Sequence, residues 1–354
     1  MRLSPMAALL AAASLTASSP APYPVVTPGI ALRFPRDHGG HPLYRTEWWY
    51  VTGWLHTADG ADLGFQVTFF RSRPPIDPAN PSRFAARQVL FAHAALSDPR
   101  IGRLLHGERS ARAGFGLAGA ATGDADVRIR DWRLRRASGG RWETRVAARD
   151  FALALAFTPT QPPLAQGQGG YSRKGPHLGA ASYYYSIPHL TVSGEVRRGG
   201  KPVTVSGEAW LDREWSSTYL QRDAQGWDWT GLNFDDGSAL MAFRIRRKSG
   251  GTLWAGGSFR RADGTTVVLG AGDVAFQPRA LWRSPATNAV YPVAQQLSVR
   301  LPEGARRWIL TPLFAAQELD ARRSGLPVYW EGAVRTQGGR GYLELTGYDR
   351  ALAM

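Results

Sequence analysis

Short stretches in which apolar and polar residues alternate, punctuated by Gly, Pro and Asp-Gly, run through nearly all of this 354-residue chain. A period of two marks a β-strand with one buried face. The cleanest case is Phe151, Leu153, Leu155 and Phe157, spaced by smaller residues. From Glu47 onward, Trp49, Val51 and Gly53 alternate with Tyr50, Thr52 and Trp54. Asp59-Gly60 then supplies a turn, and Leu63–Phe70 returns as the partner strand. Gln88–Ala95 reads as a strand after a loop, 71–84, that holds four prolines. Leu190–Val196 and Pro202–Glu208 form a hairpin around Gly199-Gly200, and the second strand continues into Trp210. Trp227–Phe234 and Leu240–Arg246 form another around Asp236-Gly237, and Phe259–Val268 a third around Asp263-Gly264. Trp308–Leu310, Val328–Val334 and Tyr342–Thr346 close the series. The longest helical pattern falls at Leu313–Ala321, where Pro312 can occupy a first turn.

Sequential strands joined by short turns predict an all-β fold of antiparallel meanders. A meander hides its edges by curling or by closing into a barrel. The chain is long for one core. Two β-barrel or curled-sheet units, packed closely together, are therefore expected at residues 30–218 and 219–354. Their boundary falls between the Trp210–Trp215 and Trp227–Trp229 segments, where no flexible linker intervenes.

Composition narrows the function. Residues 1–20 carry Arg2, a short apolar run from Met6 to Leu15 and then small residues, which reads as a secretory signal peptide cleaved near Ala17–Ala21. A periplasmic or secreted protein with no integral membrane segment after signal removal is the expectation. The absence of cysteine excludes disulfides, thiolate nucleophiles and a lipoprotein anchor. The net charge of +15 is carried almost wholly by arginine, since Lys174, Lys201 and Lys248 are the only lysines. These arginines are spread along the chain without a nucleic-acid-binding motif, so a solvated basic face is expected and no nucleic acid. His38 and His41 lie in a Gly/Pro-rich loop, and no metal-ligand word, nucleophile elbow, phosphate loop or dinucleotide fingerprint occurs. No metal and no cofactor are expected.

Four aromatic words carry acidic residues: Glu47-Trp48-Trp49-Tyr50, Trp210-Leu211-Asp212-Arg213-Glu214-Trp215, Gly226-Trp227-Asp228-Trp229 and Gly341–Tyr348. With Gly64–Arg71, Tyr183-Tyr184-Tyr185-Ser186 and Tyr329-Trp330-Glu331-Gly332, they span about residues 34–350. In this order they resemble the two-domain lipocalin-like family of carotenoid 1,2-hydratases (hydroxyneurosporene synthases) and AttH-like secreted bacterial proteins. The resemblance implies two lipocalin-like units, and the leader points to the secreted branch. The hydratase members add water to the terminal double bond of an acyclic isoprenoid. Such a reaction needs an acid, a wall that tolerates a carbocation and a positioned water.

Carboxyls against aromatic walls suit this chemistry, because burial raises their pKa. Asp212, Glu214 and Asp228 are the candidate acids, and Trp215, Trp227, Trp229 and Tyr185 the candidate ligand wall. On strands, Asp212 and Glu214 share a face opposite Arg213, and Trp227 and Trp229 share a face opposite Asp228. A surface salt-bridge patch is the plain alternative for the first group. Many members of the resembled family place His where this chain has Arg213. Arginine cannot shuttle a proton, and its charge favours ionised Asp212 and Glu214; it is suited instead to an anionic headgroup or carboxylate. Glu47, Glu331 and Glu344 are read as structural. Two functions follow: a carrier of an apolar or amphipathic, isoprenoid- or lipid-like ligand, or a cofactor-independent hydro-lyase. The secreted branch implies a third, a non-catalytic envelope component beside a membrane transporter.

Overall fold

The computed structural model describes residues 23–352 apart from Pro78, so the proposed signal peptide lies outside the described residues. Among the described residues no helix is long and apolar enough to cross a membrane. The described residues form an all-β fold in two antiparallel sheets, with three one-turn 3₁₀ segments among them. The first sheet contains β1 (Thr46–Thr57), β2 (Asp62–Ser72), β3 (Val89–Asp98), β4 (Arg103–Arg112), β5 (Ala118–Ala120), β6 (Asp126–Ile129) and β7 (Trp132–Arg136). It continues with β8 (Trp142–Ala147), β9 (Ala152–Pro159), β10 (Leu164–Ala165), β11 (Tyr171–Arg173), β12 (Ala181–Arg197) and β13 (Val203–Thr218). The second contains β14 (Ala224–Phe234), β15 (Ala239–Arg247), β16 (Thr252–Arg260), β17 (Thr266–Leu269), β18 (Val274–Arg283) and β19 (Val290–Leu301). It ends with β20 (Gly304–Pro312), β21 (Glu318–Asp320), β22 (Val328–Thr336) and β23 (Gly339–Thr346).

Both sheets follow one plan. In the first, the order is β4-β3-β2-β1-β13-β12-β9-β8-β7-β6-β5; in the second, β17-β16-β15-β14-β23-β22-β20-β19-β18. Each unit thus pairs its first strand with its last and lets a meander run off either side. The first curls into a nearly closed barrel and the second into a curved sheet, the two lipocalin-like units expected. Each has its own core: Trp49, Phe65, Phe69, Trp132, Trp142 and Phe157 in one, Leu232, Phe276, Tyr291, Leu297 and Trp330 in the other.

The units meet through the outward faces of their paired first and last strands. Alternation gives the strands at the seam two buried faces there, so β1 is buried over most of its length, β12 over Ala181–Pro188 and β13 over Ala209–Ser216. Tyr50, Trp54, Tyr184 and Trp210 from the first unit pack on Trp229, Met241, Phe243 and Tyr342 from the second. The Trp54 indole N–H donates to the Gly341 carbonyl at 3.0 Å. Close approach needs glycine at two points. A Cβ at Gly64 would lie 2.7 Å from the Tyr342 hydroxyl, and one at Gly231 would sit 2.8 Å from the Trp229 ring and 3.0 Å from Trp210.

Leu313–Ala321 is not a helix. The segment is extended and ends in β21, which pairs with β22. Leu313 N–H bonds the Ala333 carbonyl and Glu331 N–H bonds the Gln317 carbonyl. Here an open sheet edge offers the backbone more partners than an isolated turn of helix would supply.

Candidate active site

Period-two alternation decides which side chains enter the seam. On β13, Trp210, Asp212 and Glu214 point between the units, whereas Leu211, Arg213 and Trp215 point into the first barrel. On β12, Tyr184 faces the seam while Tyr183 and Tyr185 face the barrel core. From the second unit, Trp227 and Trp229 on β14, Tyr329 and Glu331 on β22 and Glu344 on β23 complete the wall. These residues, with Trp48, Tyr50, Gln66, Thr68, Phe70 and Tyr219, enclose an inner chamber of about 70 Å³. It adjoins an outer pocket of about 260 Å³, which shares Phe70, Tyr219, Trp227, Tyr329 and Glu344 and adds Phe91, His93, Leu326 and Pro327.

Four carboxyls line the chamber, two from each unit: Asp212, Glu214 and Glu331 are buried and Glu344 is half-buried. Asp212 accepts hydrogen bonds from the Trp210 indole at 2.7 Å, the Ser186 hydroxyl at 2.5 Å and the Tyr184 hydroxyl at 2.6 Å. The Trp229 indole in turn donates to the Tyr184 hydroxyl at 3.0 Å, linking the units. Burial outweighs these donors, and the neighbouring Glu214 adds to it, so the Asp212 carboxyl is pushed up to about 7. Glu214 is raised by burial, against the opposing pull of Lys174 and Ser182. The Lys174 ammonium lies 2.8 Å from Glu214 and is itself lowered by burial.

Glu331 and Glu344 stand opposite each other on β22 and β23. Burial raises both, Glu344 to about 7 and Glu331 well above the carboxylate range, with Glu344 adding to the shift of Glu331. The Tyr50 and Tyr329 hydroxyls neighbour Glu331. Neither Glu331 oxygen has a hydrogen bond of good geometry, and nor does the Tyr50 hydroxyl. Burial favours the neutral form of a carboxyl so placed, because an ionised one would be poorly solvated. Tyr329 also meets His93 Nδ1 at 2.9 Å, and burial lowers His93 to about 3, leaving it neutral with an unpartnered Nε2.

The structure therefore brings Asp212, Glu214, Trp227 and Trp229 together. It puts Asp228, Arg213, Trp215 and Tyr185 elsewhere. Asp228 is fully buried on the opposite face from the two tryptophans, held by Arg244 at 3.0 Å, Arg246 at 3.1 Å and the Tyr348 hydroxyl at 2.9 Å. Paired with two guanidiniums, it lines neither the chamber nor the outer pocket. Arg213 is fully buried in the first barrel. It donates to the carbonyls of Trp48 at 2.8 Å, His38 at 3.2 Å and Gly39, pairs with Glu47 at 3.1 Å and stacks 3.9 Å over the Trp49 ring. It neither holds a headgroup nor keeps Asp212 and Glu214 ionised. Burial would raise Glu47, but Arg71, His41 and Arg213 hold it well below the usual range. Trp215 stacks on His41 at 3.8 Å, and the Tyr185 hydroxyl meets His38 Nδ1 at 2.6 Å, both inside the barrel.

The residues that sequence reasoning passed over are Glu331, Glu344, Lys174, His93, Tyr329 and Tyr219. For the two glutamates a signal existed: each alternates with a large apolar residue, Trp330 or Leu343 and Leu345, which claims the core side and turns the acid to the other.

A family model for AttH-like proteins matches residues 25–348. No functionally curated protein shows significant similarity to the chain. Among solved structures, a putative AttH from Nitrosomonas europaea is 53% identical, with a TM-score of 0.85, over 92% of this chain and 99% of that one. Kievitone hydratase from Nectria haematococca is 14% identical with a TM-score of 0.67, covering 94% of this chain and 98% of its own. CghA bound to Sch210972 is 15% identical with a TM-score of 0.53, covering 86% and 89%.

Proposed function

From the premise that the chain belongs to the AttH-like family, we propose that it is a cofactor-independent hydro-lyase acting on a carbon–carbon double bond at the end of an apolar, isoprenoid- or lipid-like ligand. One observation carries the reading: Glu331, buried in an aromatic chamber opposite Glu344, with burial raising its carboxyl well above the usual range. A carrier of apolar ligands gains nothing from four carboxyls in an aromatic chamber, where ionisation lowers stability. An acid catalyst needs them. The resemblance in fold to kievitone hydratase, at 14% identity, speaks for architecture alone.

In the proposed step, the Glu331 carboxyl O–H breaks and its proton forms a C–H bond at the alkene. The cation left on the adjacent carbon faces the Trp227, Trp229 and Tyr219 rings, whose quadrupoles attract positive charge. Water attacks, and ionised Glu344, poised near neutrality, takes the water's proton. Transfer from Glu344 back to Glu331 across the β22–β23 pair restores both. The chamber is small for a whole ligand, so the reacting end enters it while the tail occupies the apolar outer pocket. The signal-like leader supports action outside the cytoplasm. That outer pocket also favours a second reading, simple carriage of the same ligand.

The test is incubation with acyclic isoprenoids in water enriched in heavy oxygen, followed by mass spectrometry. The expected result is a product carrying heavy oxygen, with Glu331→Gln slowing turnover by about 10²- to 10⁴-fold and ligand affinity nearly unchanged. A retained ligand of unchanged mass in the wild type refutes the enzyme and leaves the carrier.

A further inference from the structure

One end of the first unit is built unlike the other. At this end β1, β3 and β12 begin and β2, β4 and β13 finish. Its loops expose Leu43, Phe84, Phe115 and Leu178 at 64%, 74%, 56% and 68%. Phe84 and Phe115 are the most exposed aromatic side chains among the described residues. They come from different loops, yet their rings stack at 5.7 Å. The Arg112 guanidinium lies over both, 4.1 Å from Phe115 and 5.3 Å from Phe84. An apolar pair held ready in water has no role in the barrel's own core. The same loops carry Arg45, Arg73, Arg83, Arg87 and Arg222 against Asp77 and Asp223. At the opposite end the exposed large apolar residues are Ile101 and Val203, neither aromatic, and the charges are mixed: Asp59, Asp62 and Asp98 with Arg100, Arg103, Arg197, Arg198 and Lys201.

The outer pocket opens at this same rim. Arg45, Thr46, Ser72 and Ser217 line its mouth. Ser72 pairs with Val89, and Val89 with Arg112, so the platform stands two strands from the mouth, about 10 Å away.

We propose that the first unit docks by this rim on an anionic lipid bilayer, with Phe84 and Phe115 inserted at the headgroup boundary and the arginines on the phosphates. An exposed apolar tip ringed by basic residues is the combination that binds such a surface. Docking places the mouth of the outer pocket against the membrane, so an apolar ligand passes from bilayer to chamber without crossing water. This purpose rests on the reading of the chamber as an apolar-ligand site; the docking itself does not.

The test reads vesicle binding with no ligand present. The full chain is floated with phosphatidylcholine vesicles with and without phosphatidylglycerol, all variants sharing one N-terminus. Wild type is expected to float with the anionic vesicles, and Phe84→Ala/Phe115→Ala to bind on the order of tenfold more weakly. Val268→Ala/Leu281→Ala, on exposed sites of the second unit, is expected to bind like wild type. Because the chain has no cysteine, a polarity-sensitive dye on Leu43→Cys reports the rim in otherwise native protein. Its emission is expected to shift to the blue on anionic vesicles, and that of dye on Leu281→Cys to stay put. Equal flotation of wild type and the double variant, or no dye response at Leu43, shows that net charge alone attracts the protein and overturns the proposal. A protein that hydrates a detergent-dispersed isoprenoid yet does not float overturns the docking and leaves the chamber reading standing.

Discussion

Glu344→Gln is the substitution in which function and stability are expected to part most clearly. The ordinary carboxyl value for this residue is 4.5, and in the folded chain it is about 7. Between those two values the folded state keeps a proton that the unfolded state has released. Stability therefore falls as pH rises through that window, and the whole decrement is present above about pH 7. At ~1.4 kcal/mol for each pH unit, the decrement is on the order of 3 kcal/mol. Glutamine has nearly the same shape and does not titrate. The variant should match wild type to within a constant offset below about pH 4.5 and gain on it by on the order of 3 kcal/mol above about pH 7. Removing the Glu344 charge also eases the ionisation of Glu331, which adds in the same direction. The assay is urea unfolding followed by tryptophan fluorescence at about pH 5 and about pH 8, with the denaturant slope checked for constancy. Turnover should be lost in the same protein. A stability difference that stays flat with pH, or that shifts in favour of the wild type as pH rises, refutes the assignment of Glu344 as a carboxyl whose value is raised to about 7 in the folded chain.

Three further outcomes are expected. Asp228→Asn strips two guanidiniums of their buried partner and should destabilise the second unit by about 3 kcal/mol while turnover per folded molecule stays unchanged, as unfolding curves and active-site titration would show. Arg213→Lys loses the planar fork that serves three carbonyls and Glu47; a fall of about 2 kcal/mol in unfolding free energy with an unaltered KM is the expected result. Tyr329→Phe removes the hydroxyl between His93 and Glu331. It should cut kcat by about tenfold and displace the acid limb of the pH–rate profile, leaving ligand affinity intact.

Much of the fold was legible in the sequence because alternation is local. Phe151–Phe157, the Asp59-Gly60 turn and the Asp236-Gly237 hairpin each state their geometry within a few residues. Leu313–Ala321 was not, because its pattern is weak and its fate is set by a distant strand edge. The site was half legible. The strand period already puts Asp212 with Glu214 and sets Arg213 and Asp228 on the other faces. What it cannot show is which face meets a core and which meets a second unit, since strands buried on both sides carry large residues at every position. Trp215 and Tyr185 look no different in sequence from Trp210 and Tyr184, and Glu331 looks no different from Glu47. Only the docking of the two sheets separates them.

The seam has a consequence for how the chain can be cut. Asp212 and Glu214 come from one sheet, Glu331 and Glu344 from the other, and each sheet has its own core. Chain breakage within 219–223, between β13 and β14, would leave two halves that each keep a filled interior but hold only half of the acid set. The proposed chemistry would then act as a logical conjunction: either fragment alone is expected to be silent, and the two mixed at sufficient concentration to answer together. The short connection that joins them does the work of a very high local concentration.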